Sequence, residues 1–277
     1  MAIPISSVQN PRVKQLVLLQ QKSSERRKTG LFVVEGQRET EHCLEAGYQL
    51  DSLYYCPELF VNQQNQANRL LDSVLKDKTV PLFNVTTAVY EKMAYRGTTE
   101  GLLAVVHAKP HTLDGLQLPD NPVIVVLESV EKPGNLGAVL RTADAAHADA
   151  VIVCDPLTDL YNPNLIRSSI GAIFTVPCVA CSSEQCIAFL KSHGIQILTA
   201  QLQDSHLYYD TDMRRSTAII MGTESTGLTD TWRQVADAHI RIPMLGRLDS
   251  LNVSVSAAIL LFEAVRQRSA EHSDYLK

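Results

Sequence analysis

The chain has 277 residues, 45% of them apolar and 20% charged, a balance that excludes a disordered polymer and leaves room for one large core or two smaller ones. No apolar run approaches the roughly 18 residues of a membrane span, the N-terminus lacks the apolar stretch of a secretion signal, and six irregularly spaced cysteines fit reduced thiols, so a soluble cytoplasmic protein is expected. The net charge of −5 hides an asymmetry, because residues 1–108 carry 12 Lys/Arg against 11 Asp/Glu and the remainder 13 against 19. Six of those bases (Arg12, Lys14, Lys22, Arg26, Arg27, Lys28) fall within residues 10–28 beside one acid, Glu25. Such an arm meets a polyanion or forms a solvated helix face.

In chain order, hydrophobic periodicity predicts a helix over Pro11–Ser23, a strand at Leu31–Val34 and a helix over Glu39–Ala46 stopped by Gly47. A strand at Leu53–Cys56, a helix over Asn65–Lys76 and strands at Leu82–Val85 and Leu102–His107 follow. This alternation predicts a small α/β domain over residues 1–108. Residues 109–121 hold two prolines, a glycine and turn formers, and read as a linker.

Residues 122–277 alternate more clearly. Strands are predicted at Val123–Leu127, Ala150–Cys154, Thr175–Val179, Ile195–Thr199, Ala218–Met221 and His239–Ile242. Helices are predicted over Leu136–His147, Asn164–Ala172, Glu184–His193 and Leu228–Ala236. A last apolar helix, capped by Asn252 or Ser254, runs to about Arg268. Continuous apolar strands between helices predict a mostly parallel sheet covered on both faces, and in such sheets ligands bind at the carboxyl ends of strands.

Three segments place glycine, asparagine, serine or a lone charge at those ends. The first, Lys132-Pro133-Gly134-Asn135-Leu136-Gly137-Ala138-Val139-Leu140-Arg141, is followed by an acid, Asp155, 18 residues past Gly137. A dinucleotide-binding turn needs G-x-G-x-x-G, and its first spacing is missing. The second, Gly222-Thr223-Glu224-x-x-Gly227, allows close backbone approach to a ligand, or simply starts a helix whose dipole Glu224 complements. The third, Ile242-Pro243-Met244 running to Ser250-Leu251-Asn252-Val253-Ser254, opens the last helix, whose free N–H groups serve a ligand or a cap.

Together these segments resemble the signature motifs of the SpoU (TrmH-like) RNA ribose 2′-O-methyltransferases, N-x-G-A-x-x-R, G-x-E-x-x-G and I-P-M with S-L-N-V-S. Arg167-Ser168-Ser169-Ile170-Gly171-Ala172 is similar to a recurring helix of that family, and Phe32-Val33-Val34-Glu35-Gly36-x-Arg38 to its substrate-binding domain. Lys132 departs from an Asp common before the proline, His147 from a Gly, and Glu100-Gly101 from Gln-Gly.

The resemblance implies a trefoil-knotted α/β domain, an exception to unknotted topology, beside a smaller N-terminal α/β domain resembling a ribosomal protein. It implies S-adenosylmethionine as cofactor, with Thr199, Ala200, Gly222, Gly227, Ile242, Met244 and Leu251 lining its pocket, RNA (rRNA or tRNA) as substrate, and a homodimer. Arg141 activates the ribose hydroxyl by resemblance, with Asn135, Glu224, Ser250 and Asn252 positioning it. A guanidinium is too weak an acid to serve as base, so Arg141 is read as an electrostatic clamp, with the proton acceptor open. RNA contacts are expected from Arg12, Lys14, Arg26, Arg27, Lys28 and Arg38.

Cys178 and Cys181, with Cys186 and His193, are too irregular for structural zinc, and no metal is expected. Tyr208, Tyr209 and Trp232 either stack bases or pack. Two other functions remain: an RNA-binding module of the same fold without catalysis, and a nucleotide-dependent oxidoreductase.

Overall fold

Five short strands of the N-terminal part pair in the order β1-β4-β3-β5-β2 in the computed structural model, which describes residues 2–60, 71, 74, 79–95, 100–223 and 226–269. They are β1 (Ile3–Ile5), β2 (Leu31–Glu35), β3 (Leu50–Tyr55), β4 (Leu82–Val85) and β5 (Leu102–His107). β1 carries Pro4, which donates no ladder hydrogen bond, and it lies at the sheet edge. β1, β4 and β3 run parallel, whereas β5 is antiparallel to both β3 and β2. Helices Pro11–Gln21 and Thr87–Met93 supply Val13, Leu16 and Leu19, with Val89, Tyr90 and Met93, to a core shared with Tyr54, Phe83 and Val105. The expected helix over Asn65–Lys76 lies outside the described residues apart from Leu71 and Val74.

The chain divides into two units, and the first comprises the residues up to Pro110 together with Asp159–Thr175. That later segment fell inside the 122–277 domain of the sequence reading. Within the unit it brings Tyr161 into a stack on Phe32 with centroids 4.1 Å apart, and Phe174 edge-on to Tyr48. Tyr161 Oη donates to Lys109 O and accepts from Lys109 N. The helix expected over Asn164–Ala172 is broken into Pro163–Ser168 and Ala172–Thr175, because Ile170 and Gly171 take φ of 56° and 84°. A β-branched residue at positive φ is a true outlier. At Gly171 an added Cβ would come 3.1 Å from His42 Nδ1, so glycine fits where His42 packs.

The second unit holds His111–Thr158 and the chain from Val176 onward. Its strands are β6 (Val123–Glu128), β7 (Ala150–Cys154), β8 (Cys178–Cys181), β9 (Gln196–Ala200), β10 (His206–Leu207), β11 (Thr217–Met221) and β12 (Ala238–Arg241). They form one all-parallel sheet in the order β10-β12-β9-β11-β6-β7-β8. β8 starts three residues later than expected, since Thr175 ends a short helix.

Side chains alternate between the faces of a strand. Ile124, Val126, Ile152 and Ile220 pack with helix Ser183–Ser192 and with Trp232 from the short helix Asp230–Arg233. Helices Pro133–Ala145 and Val253–Ser269 pack on each other and cover β6, β7 and β11 from the opposite face. The sheet is thus buried on both sides, as its unbroken apolar strands require. After the first of these helices His147 takes φ 52°, the left-handed position that favours glycine after a helix end. No helix among the described residues is long and apolar enough to cross a membrane.

Candidate active site

Strands β9, β11 and β12 are neighbours or near neighbours in a parallel sheet, so their carboxyl ends deliver three loops to one edge. These loops line an open cleft of about 360 Å³, within the range of small-molecule sites. Ala200, Gly222, Gly227, Ile242, Met244, Ser250 and Leu251, all expected at the site, line it. Thr199 does not. It is fully buried in β9, and its hydroxyl lies 2.6 Å from His239 Nδ1 on the paired strand β12, so that expectation is corrected.

Gly222 is there because the loop folds back on itself. Thr223 N donates to Gly227 O and Gly227 N to Thr223 O, closing a bridge across the turn. A Cβ on Gly222 would lie 2.2 Å from the Gly227 carbonyl carbon, a clash with backbone that no rotamer relieves. Glu224 lies outside the described residues. The far end of the loop is tied down by Glu128, a buried acid at the end of β6, whose carboxylate accepts from Thr229 N and Thr229 Oγ1. Sequence reasoning missed Glu128, because its partners stand 101 residues away.

Two further groups escaped the sequence reading. Gln201 and Arg233 line the cavity, and Gln201 Oε1 and Arg233 Nε are buried with no hydrogen-bond partner among the described residues. An orphaned acceptor and donor beside one cavity are costly unless something binds there. The signal available for Gln201 was only its position just past a strand end.

Asn135 and Asn252 come together. Asn252 Nδ2 donates to Asn135 Oδ1 at 3.2 Å, joining the first turn of helix Pro133–Ala145 to the mouth of the last helix. Asn252 Oδ1 also accepts from Ser254 N and Oγ, so Asn252 rather than Ser254 is the cap. Asn135 lines a smaller cavity of about 110 Å³ whose wall includes Gly222 and Thr223. Arg141 is exposed and lines neither cavity. Six residues beyond Asn135 on the same helix, it sits about 9 Å further along the axis.

The other expectations sort by burial. Arg12, Lys14, Arg27, Lys28 and Arg38 are exposed in the first unit, with Arg12 over the Phe83 ring and Arg38 against Glu39. Arg26 is corrected: it is only 6% exposed, paired fork-on-fork with Asp159 and donating to Leu19 O and Gln20 O, so its donors are committed within the protein. Asp155 accepts from Ser183 N and Oγ, which makes it a helix-start anchor and removes the reason to see a ribose-binding acid. Trp232 is fully buried and donates to Ser183 Oγ. Cys178 is buried without thiol neighbours, and burial pushes it up to about 12. His193 packs on Phe189, with Nδ1 near Phe189 O, and does not join the cysteines.

Known proteins resemble this chain along nearly its whole length. Residues 122–262 match the model of the SpoU rRNA methylase family, and residues 10–104 the MRM3-like substrate binding domain. A 23S rRNA (guanosine(2553)-2′-O)-methyltransferase, RlmP of Bacillus subtilis, is 29% identical over 93% of this chain and 97% of its own. A solved RNA 2′-O ribose methyltransferase is 37% identical with a TM-score of 0.82, covering 96% of this chain and 99% of that one. AviRb from Streptomyces viridochromogenes, a SpoU methyltransferase solved in complex with AdoMet, is 27% identical with a TM-score of 0.85, covering 94% of this chain and all of its own.

Proposed function

We propose that this chain, which belongs to the SpoU rRNA methylase family, transfers a methyl group from S-adenosylmethionine to a ribose 2′-hydroxyl of ribosomal RNA. The observation that carries the proposal is the cavity at the ends of β9, β11 and β12, with its unpaired Gln201 Oε1 and Arg233 Nε. S-adenosylmethionine fits that donor set. Its adenine is apolar on both faces and suits Met221, Leu228, Ile240 and Leu251, its carboxylate suits a guanidinium, and its ammonium and ribose hydroxyls suit an amide oxygen. Bound there, the cofactor supplies an electrophilic sulfonium methyl. Relatives named as 23S rRNA methyltransferases favour rRNA over tRNA as the substrate.

The protein's own share is binding, orientation and charge. The Thr223–Gly227 bridge holds the loop closed over Gly222, which leaves no room for a side chain, and the Asn135–Asn252 pair fixes the edge where the two loops meet. Arg141 acts as an electrostatic clamp that stabilises the alkoxide developing as the hydroxyl attacks. Because Arg141 lines neither cavity of its own chain, the proposal includes a homodimer that brings Arg141 of a second copy to the site. The last helix favours this, since Val255 and Phe262 remain 46% and 48% exposed in the single chain.

The proposal also includes a trefoil knot. It is favoured by the insertion of β11 between β6 and β9, strands formed earlier in the chain, and by the convergence of the two later loops on one cavity. The first unit, with its exposed bases and its match to a substrate binding domain, is assigned to RNA, and the cytoplasm to its place of action.

The test is a pair of calorimetric titrations, with S-adenosylmethionine and with NAD, followed by mapping of ribose methylation on 23S rRNA exposed to the purified protein. Saturable S-adenosylmethionine binding and a new 2′-O-methyl mark are expected. Preferential NAD binding overturns the reading in favour of an oxidoreductase, and cofactor binding without any methyl mark overturns it in favour of a non-catalytic module.

A further inference from the structure

We propose that Cys154, Cys181 and Cys186 form a binding site for a single thiophilic d¹⁰ metal ion, held by three sulfurs at the carboxyl edge of β7 and β8. Three separate segments bring these thiols together. Cys154 and Cys181 end adjacent parallel strands and are paired in register, while Cys186 is the fourth residue of helix Ser183–Ser192. All three sulfurs lie within 4.8 Å of one another. A metal about 2.3 Å from each sulfur needs sulfurs about 3.8–4.0 Å apart, so closing on an ion takes a shift of less than about 1 Å.

The surroundings suit an ion of this class. Cys154 and Cys186 are buried while Cys181 is partly exposed, which gives a dry floor and one route of entry. No carboxylate or imidazole joins the group among the described residues, and thiolates without oxygen ligands select soft cations over magnesium or calcium. Three sulfurs satisfy a trigonal ion outright and leave a tetrahedral one a position open to solvent. Each thiol that binds releases its proton to water.

The helix that carries Cys186 is held independently of the sulfurs. Asp155 Oδ2 accepts from Ser183 N at 3.2 Å and Oγ at 2.6 Å, Ser183 Oγ accepts from Trp232 Nε1, and Ser182 forms a capping box with Gln185. Supporting bonds of this kind orient ligands before the ion arrives. The zinc set expected to fail, with Cys178 and His193, differs from this one. Cys154, distant in sequence, takes their place. None of the three cysteines lines the proposed cofactor cavity.

The competing account is that the thiols are small core residues touching by chance. The reduced full-length protein, kept anaerobic, is titrated with Cd²⁺ while the ultraviolet thiolate-to-metal band and the bound metal are measured. Saturation at one ion per chain is expected, with at least about tenfold weaker binding in both Cys181→Ser and Cys186→Ser and none of that loss in Cys178→Ala. Circular dichroism melts establish that the variants fold. If either serine variant does not, iodoacetamide mapping of the wild type decides, one equivalent of Cd²⁺ being expected to protect Cys181. No saturable Cd²⁺ binding, binding unchanged in both serine variants, or unprotected Cys181 overturns the proposal.

Discussion

The two units use their polar groups in opposite ways. In the first, charge and hydroxyl are spent on architecture: Arg26 grips Asp159, Tyr161 and Lys109 exchange hydrogen bonds, and Glu100 accepts from Gln37 N. In the second, polar groups gather at the carboxyl edge of a parallel sheet, and Gln201 and Arg233, two residues lining one cavity, each bury an unpartnered atom, Oε1 and Nε. The first unit also holds two unpaired buried atoms, Gln20 Nε2 and His42 Nδ1, but the cavity that Gln20 lines does not include His42. A buried polar group with its partner marks how the chain is held. A pair of orphans around one space marks what the chain holds.

The largest effects should separate these uses. Arg26→Ala should cost about 3 kcal/mol of stability, the low end for a broken buried pair because Asp159 keeps some solvent. Denaturant unfolding should show this loss while S-adenosylmethionine affinity stays unchanged. Arg141→Ala should do the reverse: single-turnover methylation slowed by about 10²–10³, or about 3–4 kcal/mol, with stability and cofactor affinity intact. Arg141→Lys should recover little, as an ammonium lacks the planar fork. Cofactor affinity that falls in step with the rate would make Arg141 structural and dissolve the contrast.

Gly222→Ala sharpens the account of the cavity. The new methyl meets backbone at 2.2 Å, so the loop must open. Displacing backbone costs on the order of 3 kcal/mol, which corresponds to about 100-fold weaker S-adenosylmethionine binding by calorimetry. Wild-type affinity in this variant would show that the closed loop is not the binding form. A smaller effect is expected at the last helix, where Phe262→Glu places a charge on an apolar surface left open. Light scattering at micromolar concentration should show it shifted toward monomer, and an unchanged mass would remove Phe262 from the interface.

Legibility in the sequence follows the same division. Strands Leu82–Val85, Leu102–His107 and Ala150–Cys154 were readable to the residue, since a short, mainly apolar run between turn formers has few alternatives. The loops of the cavity were readable as motifs, because glycine and asparagine at strand ends carry local meaning. Helix Thr87–Met93 was missed: seven residues opening on β-branched and small side chains give little periodicity. The break at Ile170 was missed because a β-branched residue itself argues against positive φ, and the neighbour that keeps Gly171 a glycine, His42, is distant in sequence. Thr199, Arg26 and Glu128 were misread or overlooked for one reason. Their partners stand 40, 133 and 101 residues away, and side-chain commitment at that range leaves no mark in local pattern.

The smallest expected effect tests what remains of the basic arm. With Arg26 withdrawn, Arg12, Lys14, Arg27, Lys28 and Arg38 are the exposed bases assigned to RNA, and if four of them meet phosphates the log–log salt slope of binding should be about −3 to −4. Arg27→Ala should remove one such contact. RNA affinity should fall severalfold, uniformly across sequences, and the slope should flatten by about one. Arg26 and Arg27 are adjacent in one short helix and identical in charge, yet one faces Asp159 and the other solvent. A charge count predicts the same outcome for both. The structure predicts stability loss from Arg26→Ala with no change in slope, and the slope change from Arg27→Ala with no loss of stability. Fluorescence anisotropy with a labelled 23S rRNA fragment between 50 and 200 mM salt, beside a denaturant melt of each variant, measures both quantities. Equal slope changes in the two variants would return Arg26 to the RNA-binding set and break the division between groups that hold the chain and groups that hold its substrate.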